Sequence, residues 1–264
     1  MMRHFRIFLL HAQQVLEYRS RSFVWWLNIF FNASIYLLFW RGALLANPNL
    51  GWSFPQAMSY YLLLMIIGAS LQVHIEEDIA YQDIQQGRLV QFLTKPYAYF
   101  WFKFQEELPY RLLQGSFGIV LLLGISLYLG GQFVLIRGLL EAMLIALVIL
   151  LGFFIAFVFK MILGIAAFWF IDTLGLFQSV TVVYLIFSGF VMPLSLFPQA
   201  LQTVAYILPF AYQIYFPIIS LQGLLNTVQL SQVIIIQLVW LGVLLVLYQK
   251  IWKAGLRLFS GVGQ

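Results

Sequence analysis

Apolar residues fall along the chain in long unbroken blocks. A helix that crosses a bilayer needs about 20 mostly apolar residues. Six stretches reach or approach that length: Phe23–Leu45, Ala57–Val73, Leu112–Leu129, Gly138–Ile171, Leu174–Val191 and Val228–Tyr248. Strands of a membrane barrel would alternate apolar and polar positions instead, so the pattern predicts helices. The fourth stretch is long enough for strong tilt or for protrusion from the membrane. After the fifth, Met192–Asn226 stays apolar but contains Pro193, Pro198, Pro209 and Pro217. Proline removes a backbone donor and breaks helix interiors, so this interval reads as two short re-entrant or interfacial helices. Residues 1–21 have another spacing. Phe5, Leu9, Ala12 and Leu16 share one helical face, while Arg3, Arg6, Gln13 and Glu17 lie elsewhere. That predicts an amphipathic helix along the membrane surface. The apolar run Ile7–Leu10 stops at His11, too short for the core of a secretory signal.

Composition narrows the fold class. Hydrophobic residues make up 63% and charged residues 9% of the 264 positions, too few charges to cover a soluble globule of this size and too apolar for disorder. The expectation is an all-α polytopic membrane protein with six transmembrane helices. Twelve of the fourteen Lys and Arg fall on one side of that six-span arrangement. They comprise Arg3, Arg6, Arg19 and Arg21, then Arg88, Lys95, Lys103 and Arg111, then Lys160, and finally Lys250, Lys253 and Arg257. Only Arg41 and Arg137 fall on the other side. Basic residues collect in cytoplasmic loops, which predicts a multi-pass protein of the inner (plasma) membrane with both termini in the cytoplasm. The same rule accounts for the pI near 9.4. The cations are too scattered for a nucleic-acid surface, so no nucleic-acid partner is expected.

Motifs for catalysis are absent from the sequence. The histidines are His4, His11 and His74, without H-E-x-x-H, and neither G-x-S-x-G nor G-x-x-x-x-G-K-[ST] occurs. There is no cysteine for a disulfide or a thiolate metal site. The consecutive acids Glu76, Glu77 and Asp78 point around a helix and do not converge on one ion. The chain therefore reads as neither an enzyme nor a cofactor-binding protein.

The long polar loop, residues 74–111, holds six of the nine acids. Ile75–Gln86 reads as a short acidic helix with an apolar edge at Ile75, Ile79 and Tyr81, ended by Gly87 as a left-handed cap. Pro96 breaks the chain. Tyr97, Tyr99, Phe100, Trp101, Phe102 and Phe104 follow, an aromatic cluster suited to the bilayer interface. The helix either caps the bundle or docks into another protein.

The run from Asp83 through Gln86, Gly87, Arg88 and Leu89 to Pro96 resembles the D-I-x-x-G-x-L … L-x-x-P loop of ABC-2-type transporter permeases. The segment Ser188–Pro198, with Leu208-Pro209-Phe210 and Gly223, resembles the same family's pattern after its fifth span. The likeness covers nearly the whole chain and is greatest to small permeases with a separately encoded ATPase. It implies one transmembrane domain over 1–264, with an interfacial helix (1–21), a coupling loop (74–111) and a re-entrant hairpin (192–226). It implies that Glu76, Glu77, Asp78, Asp83, Gly87 and Arg88 belong to a coupling helix. Implied partners are two ATPase subunits, which hold ATP and Mg, a second permease, identical or homologous, and membrane lipid. The implied activity is export of a hydrophobic or amphipathic substrate, cationic and drug-like molecules included. A lipid-linked glycan exporter is the alternative, and a non-transporting scaffold or membrane enzyme is the reading from another class.

Polar residues inside spans must face protein or water. Arg137 and Glu141 sit one turn apart and read as a pair, and Arg41 snorkels. Lys160 either lines a cavity or marks a part of span four that projects into the cytosol. Asn28 and Asn32, one turn apart, are either interhelical glue or substrate contacts. In the hairpin, Phe197, Tyr206, Phe210 and Tyr212 are candidates for an outer gate.

Overall fold

A computed structural model describes residues 8–13, 17, 19–47, 51–129 and 138–259. Among them the chain is almost wholly helical, without strands. In chain order the helices are α1 (Arg19–Ala46), α2 (Phe54–Leu71), a π-helix (Asp78–Gln85), α3 (Val90–Leu93), α4 (Tyr99–Leu129), α5 (Leu139–Ile165), α6 (Thr173–Phe187), α7 (Gln199–Ile207), α8 (Tyr215–Leu221) and α9 (Thr227–Leu258). Short 3₁₀ turns occupy Ala166–Phe168 and Leu194–Leu196.

Two helices start with reciprocal caps. Ser53 Oγ accepts from Gln56 N while Gln56 Oε1 accepts from Ser53 N, and Asn226 and Gln229 do the same at the start of α9. Among the described residues, three helices are long and apolar enough to cross a membrane: Phe54–Leu71, Leu139–Phe168 and Thr227–Leu258. Helix α1 has 28 residues and α4 has 31, while α6 has only 15. Helix α6 is about 22 Å long, short of a bilayer core of about 30 Å. It ends at Phe187, before the expected Val191, because Gly189 turns the chain with φ +82°.

The core is a packed bundle. Helices α5 and α9 run side by side in the same direction: Gln237 of α9 reaches Val148 of α5, and Gly255 meets Phe168 just beyond α5. Helix α2 packs antiparallel on α4, where Gly115 and Gly118 give Ser70 and Ile66 the room for close approach.

Three expectations change here. The expected α-helix over Ile75–Gln86 is π-helical from Asp78 to Gln85. Its backbone closes at i→i+5, as in the bond from Gln86 N to Tyr81 O at 2.9 Å. The polar loop ends early, because α4 starts at Tyr99 and carries Pro109 inside it. Charged residues there read as loop, but they are helix with ion-paired, buried side chains at Lys103, Glu107 and Arg111. Part of the aromatic cluster packs inward, where Phe100 meets Phe157 and Tyr248 and Phe104 stacks on Phe154, while Trp101 stays exposed. The last helix continues ten residues past Tyr248.

Within Met192–Asn226 there are two short helices, α7 and α8. Pro198 stands at the start of α7, Pro209 follows its end, and Pro217 lies in the first turn of α8, where a missing donor costs little. Of the N-terminal segment, residues 8–13, 17 and 19–21 are helical. The expected apolar face includes Phe5 and Leu16, which fall outside the described residues.

Candidate functional site

The π-helix has two distinct faces. Along the π-helix and the residues leading into it, Ile75, Glu76, Ile79, Ala80, Asp83 and Ile84 are buried. Glu77, Asp78, Tyr81, Gln85 and Gln86 are exposed. Glycine closes the helix on both counts that matter. Gly87 has φ +78°, which lets Arg88 N reach Gln82 O at 3.3 Å and Leu89 N reach Asp83 O at 2.7 Å. Gly164 of α5 lies under the helix: a Cβ there would stand 2.8 Å from Ile79 Cβ and 3.1 Å from the Glu76 carbonyl. Gln85 Nε2 donates to Ile171 O at 3.0 Å and ties the helix to the turn after α5.

Only part of the expected acidic surface is on the outside. Asp83 is fully buried and anchors the helix to α4. Its Oδ1 accepts from Arg88 Nε at 2.7 Å, and its Oδ2 from Tyr99 OH at 2.6 Å and Lys103 Nζ at 2.9 Å. Lys103, also fully buried, reaches Glu106 at 2.8 Å. Tyr99 in turn stacks on Trp252 of α9, centroids 5.0 Å apart and planes 6° from parallel.

Glu76 is buried and pairs with Lys160 of α5. Burial holds its carboxyl above the usual carboxylate range, although Lys160 pulls it down. Lys160 thus lines a cavity of about 420 Å³ together with Glu76. His74 lines the same cavity and has Arg111 Nη2 3.3 Å from Nδ1. Its side chain is exposed at the surface, although most of its surroundings are protein. Desolvation by those surroundings, then the nearby Arg111 and Lys160, lowers its pKa to about 3 and disfavours its charged form. Arg111 is held by Glu107 at 2.5 Å, Gln114 at 2.8 Å and the Ala69 carbonyl at 3.3 Å.

The hairpin residues separate. Tyr206 and Tyr212 line a second cavity of about 760 Å³, bounded by Trp52, Tyr215, Phe216 and the start of α9. Tyr212 OH donates to Tyr206 O at 2.9 Å. Phe197 borders a different, apolar groove of about 370 Å³ against Tyr36, Phe39 and Trp40 of α1. Phe210 lies in the core, edge-on to Phe159 and Tyr184, and lines none of these spaces. Asn28 and Asn32 are on α1, with side chains outside the described residues. Arg137 also lies outside them, while Glu141 is buried.

Several positioning residues carried little sequence signal. Gly152, at the middle of α5, admits the hairpin backbone: a Cβ there would stand 3.0 Å from the Tyr212 carbonyl. Gln237 satisfies that carbonyl at 3.0 Å and the Val148 carbonyl at 2.9 Å. Tyr60 and Tyr61 of α2 donate to the carbonyls of Gly189 and Val191 at 2.7 and 2.8 Å. A lone Gly or Gln within an apolar span was the available cue.

These placements bear on the likeness noted above. The Asp83–Pro96 run forms the anchored end of the two-faced helix, and the Ser188–Pro198 run forms the entry to a hairpin lodged against α5. A search of curated proteins returns no match to the chain. The family model described as "ABC-2 family transporter protein" matches residues 30–263, which include both runs, the cavities and the three described helices long and apolar enough to cross a membrane. The chain therefore belongs to the ABC-2 family of transporter proteins, as a membrane permease without catalytic chemistry of its own.

Proposed function

We propose that the chain is the membrane subunit of an ABC exporter that moves an amphipathic molecule from the cytoplasm or inner leaflet. Its ATPase, with ATP and Mg, is a separate subunit present in two copies. A second permease, identical or homologous, completes the membrane part. Six passes follow from the six apolar blocks, and cytoplasmic termini from the partition of basic residues across them. On this reading α1, α4 and α6 cross together with the three long apolar helices. The first residues lie along the inner surface, and the hairpin enters the outer leaflet.

The observation that carries the reading is the construction of the π-helix. Its inner face is fixed to α4 by Asp83 and to α5 by Glu76 and the Gly164 contact. Its outer face presents Glu77 and Asp78 around the exposed Tyr81. A helix held this firmly, with acids and an aromatic ring facing out, suits transmission of force from a docked partner. Gly87 and Arg88 close and brace it; they do not form the docking face. The test is affinity purification of the tagged permease after gentle detergent extraction. An ATPase should copurify with the parent and be lost from Glu77→Lys/Asp78→Lys. Recovery of the permease alone from cells, with or without the substitutions, would favour a scaffold and sink the exporter reading.

A further inference from the structure

We propose that Arg88 and Lys95, set around the ring of Phe92, hold the phosphate head of an anionic lipid at the cytoplasmic edge of the membrane. The inference uses the membrane placement given above and does not depend on transport.

Packing fixes the depth of this corner. Phe92 meets Tyr99 with ring centroids 5.5 Å apart, and Tyr99 stacks on Trp252 of α9. Trp252 stands between Lys250 and Lys253, one helical turn past Tyr248, where the last apolar block ends. One turn rises about 5 Å, which keeps the corner within the head-group layer. The exposed apolar side chains beside Phe92 fit that depth. Leu93 and Trp101 are 46% and 48% exposed, and an indole is favoured where acyl chains meet water.

The groups left without partners here are donors. From Ile84 to Gln105 the chain has no acid, but it has Arg88, Lys95 and Lys103. Lys103 is buried and occupied by Asp83 and Glu106. Arg88 gives Nε to Asp83, and its two terminal nitrogens make no hydrogen bond among the described residues, although the side chain is 38% exposed. Lys95 is exposed and makes no ion pair among the described residues. The Arg88 Cζ and the Lys95 Nζ lie 5.9 and 5.6 Å from the Phe92 centroid. The carboxylates that act on Arg88 already have donors of their own. Asp83 takes three, Glu106 takes Lys103, and Asp78 takes Gln82 Nε2 at 2.7 Å. A phosphate supplies the missing charged acceptor, and guanidinium NH2 groups suit its oxygens. A zwitterionic head would bring its own cation to Arg88 and Lys95, so the pair selects a head with net negative charge.

The experiment is native mass spectrometry of the full-length chain in detergent, titrated with phosphatidylglycerol or with phosphatidylcholine of the same acyl chains. The first phosphatidylglycerol should bind about tenfold more tightly than the first phosphatidylcholine. Lys95→Gln should weaken phosphatidylglycerol binding about fivefold, as loss of one cation near an anionic surface does, and leave phosphatidylcholine binding unchanged. Lys253→Gln, an exposed cation at the same depth on α9, should leave the preference intact. Arg88→Gln should reduce the preference as well; if it fails to fold because Asp83 loses a brace, Lys95→Gln decides. Equal binding of the two lipids, or an unchanged preference in Lys95→Gln, would overturn the proposal. Displacement of the lipid by excess inorganic phosphate would also overturn it, since the site would then take a soluble anion. So would loss of ATPase copurification from Lys95→Gln with the lipid preference unchanged, which would give these cations to the protein partner.

Discussion

Asp83 and the pair Glu77/Asp78 lie within seven residues of one another but should fail in opposite ways when changed. Asp83→Ala removes a carboxylate with three partners, at 2.6, 2.7 and 2.9 Å, and leaves Lys103 buried with only Glu106 at 2.8 Å. Removing one member of a buried ion pair costs about 3–5 kcal/mol. Glu106 retains part of the compensation, so the lower end of that range applies. For a chain of this size that lowers the melting midpoint by roughly 10 °C. Glu77 and Asp78 are exposed, and reversing exposed charges changes stability by about 1 kcal/mol or less. Glu77→Lys/Asp78→Lys should therefore melt with the parent yet lose the ATPase.

The assay pairs thermal unfolding in detergent, followed by tryptophan fluorescence, with ATPase copurification. Two classes are expected: a destabilised Asp83→Ala and a stable, uncoupled Glu77→Lys/Asp78→Lys. An Asp83→Ala protein that melts within about 2 °C of the parent would refute the anchoring role. So would a charge-reversed double variant that melts as early as Asp83→Ala, since its acids would then hold the fold rather than face a partner.

Gly164→Val places a branched side chain where even a Cβ would stand 2.8 Å from Ile79; it should push the coupling helix off α5, raise protease sensitivity between residues 74 and 98, and reduce ATPase copurification, whereas Gly124→Val, which meets nothing within 4 Å, should do neither. Acid should act on the cavity groups in opposing directions. The carboxyl of Glu76 has a raised folded pKa, so its contribution favours the fold at low pH and is lost as pH rises from 4.5 through the folded value. His74 is depressed from 6.5 to about 3, so its contribution is present above 6.5 and lost as pH falls toward 3. Between pH 6.5 and 5 the His74 effect should dominate: the melting midpoint should fall in the parent and fall less in His74→Gln, with the partial exposure of the ring limiting the size of the difference.

The apolar blocks were enough to read the helical class and most helix positions, because each block of that length has no other way to satisfy its backbone in lipid. The four prolines marked the hairpin, since each one removes a donor at a fixed place. The polar segment 74–111 was harder. Lys103, Glu107 and Arg111 look like solvated loop residues one at a time, and only their i, i+4 spacing together with partners elsewhere in the chain makes them interior helix. The acidic helix shows the same limit. Glu76 and Asp83 are chemically the same as Glu77 and Asp78, and what separates them is whether Lys160, Lys103 and Tyr99 arrive from α4 and α5. Spacing along one segment does not contain that information. The wide π turn compounds it, since it moves residues off the faces an α-helix would give them.

Helix α5 brings the two motifs into one mechanical unit. Gly164 seats the coupling helix and Gly152 seats the hairpin, twelve residues apart, or about 18 Å along a rigid helix. Both contacts are closed to any side chain without displacement of a neighbour, so α5 is held closely from its middle to its C-terminal end. Lys160 lies between them, paired to Glu76 on the coupling side and bordering the cavity that Gln213 enters from the hairpin side. A shift of the coupling helix relative to α5 must break or stretch the Glu76–Lys160 pair, and it must reshape a cavity wall at the same time. On the exporter reading, the glycines that looked like packing details in an apolar span would fix where force enters α5 and what it deforms.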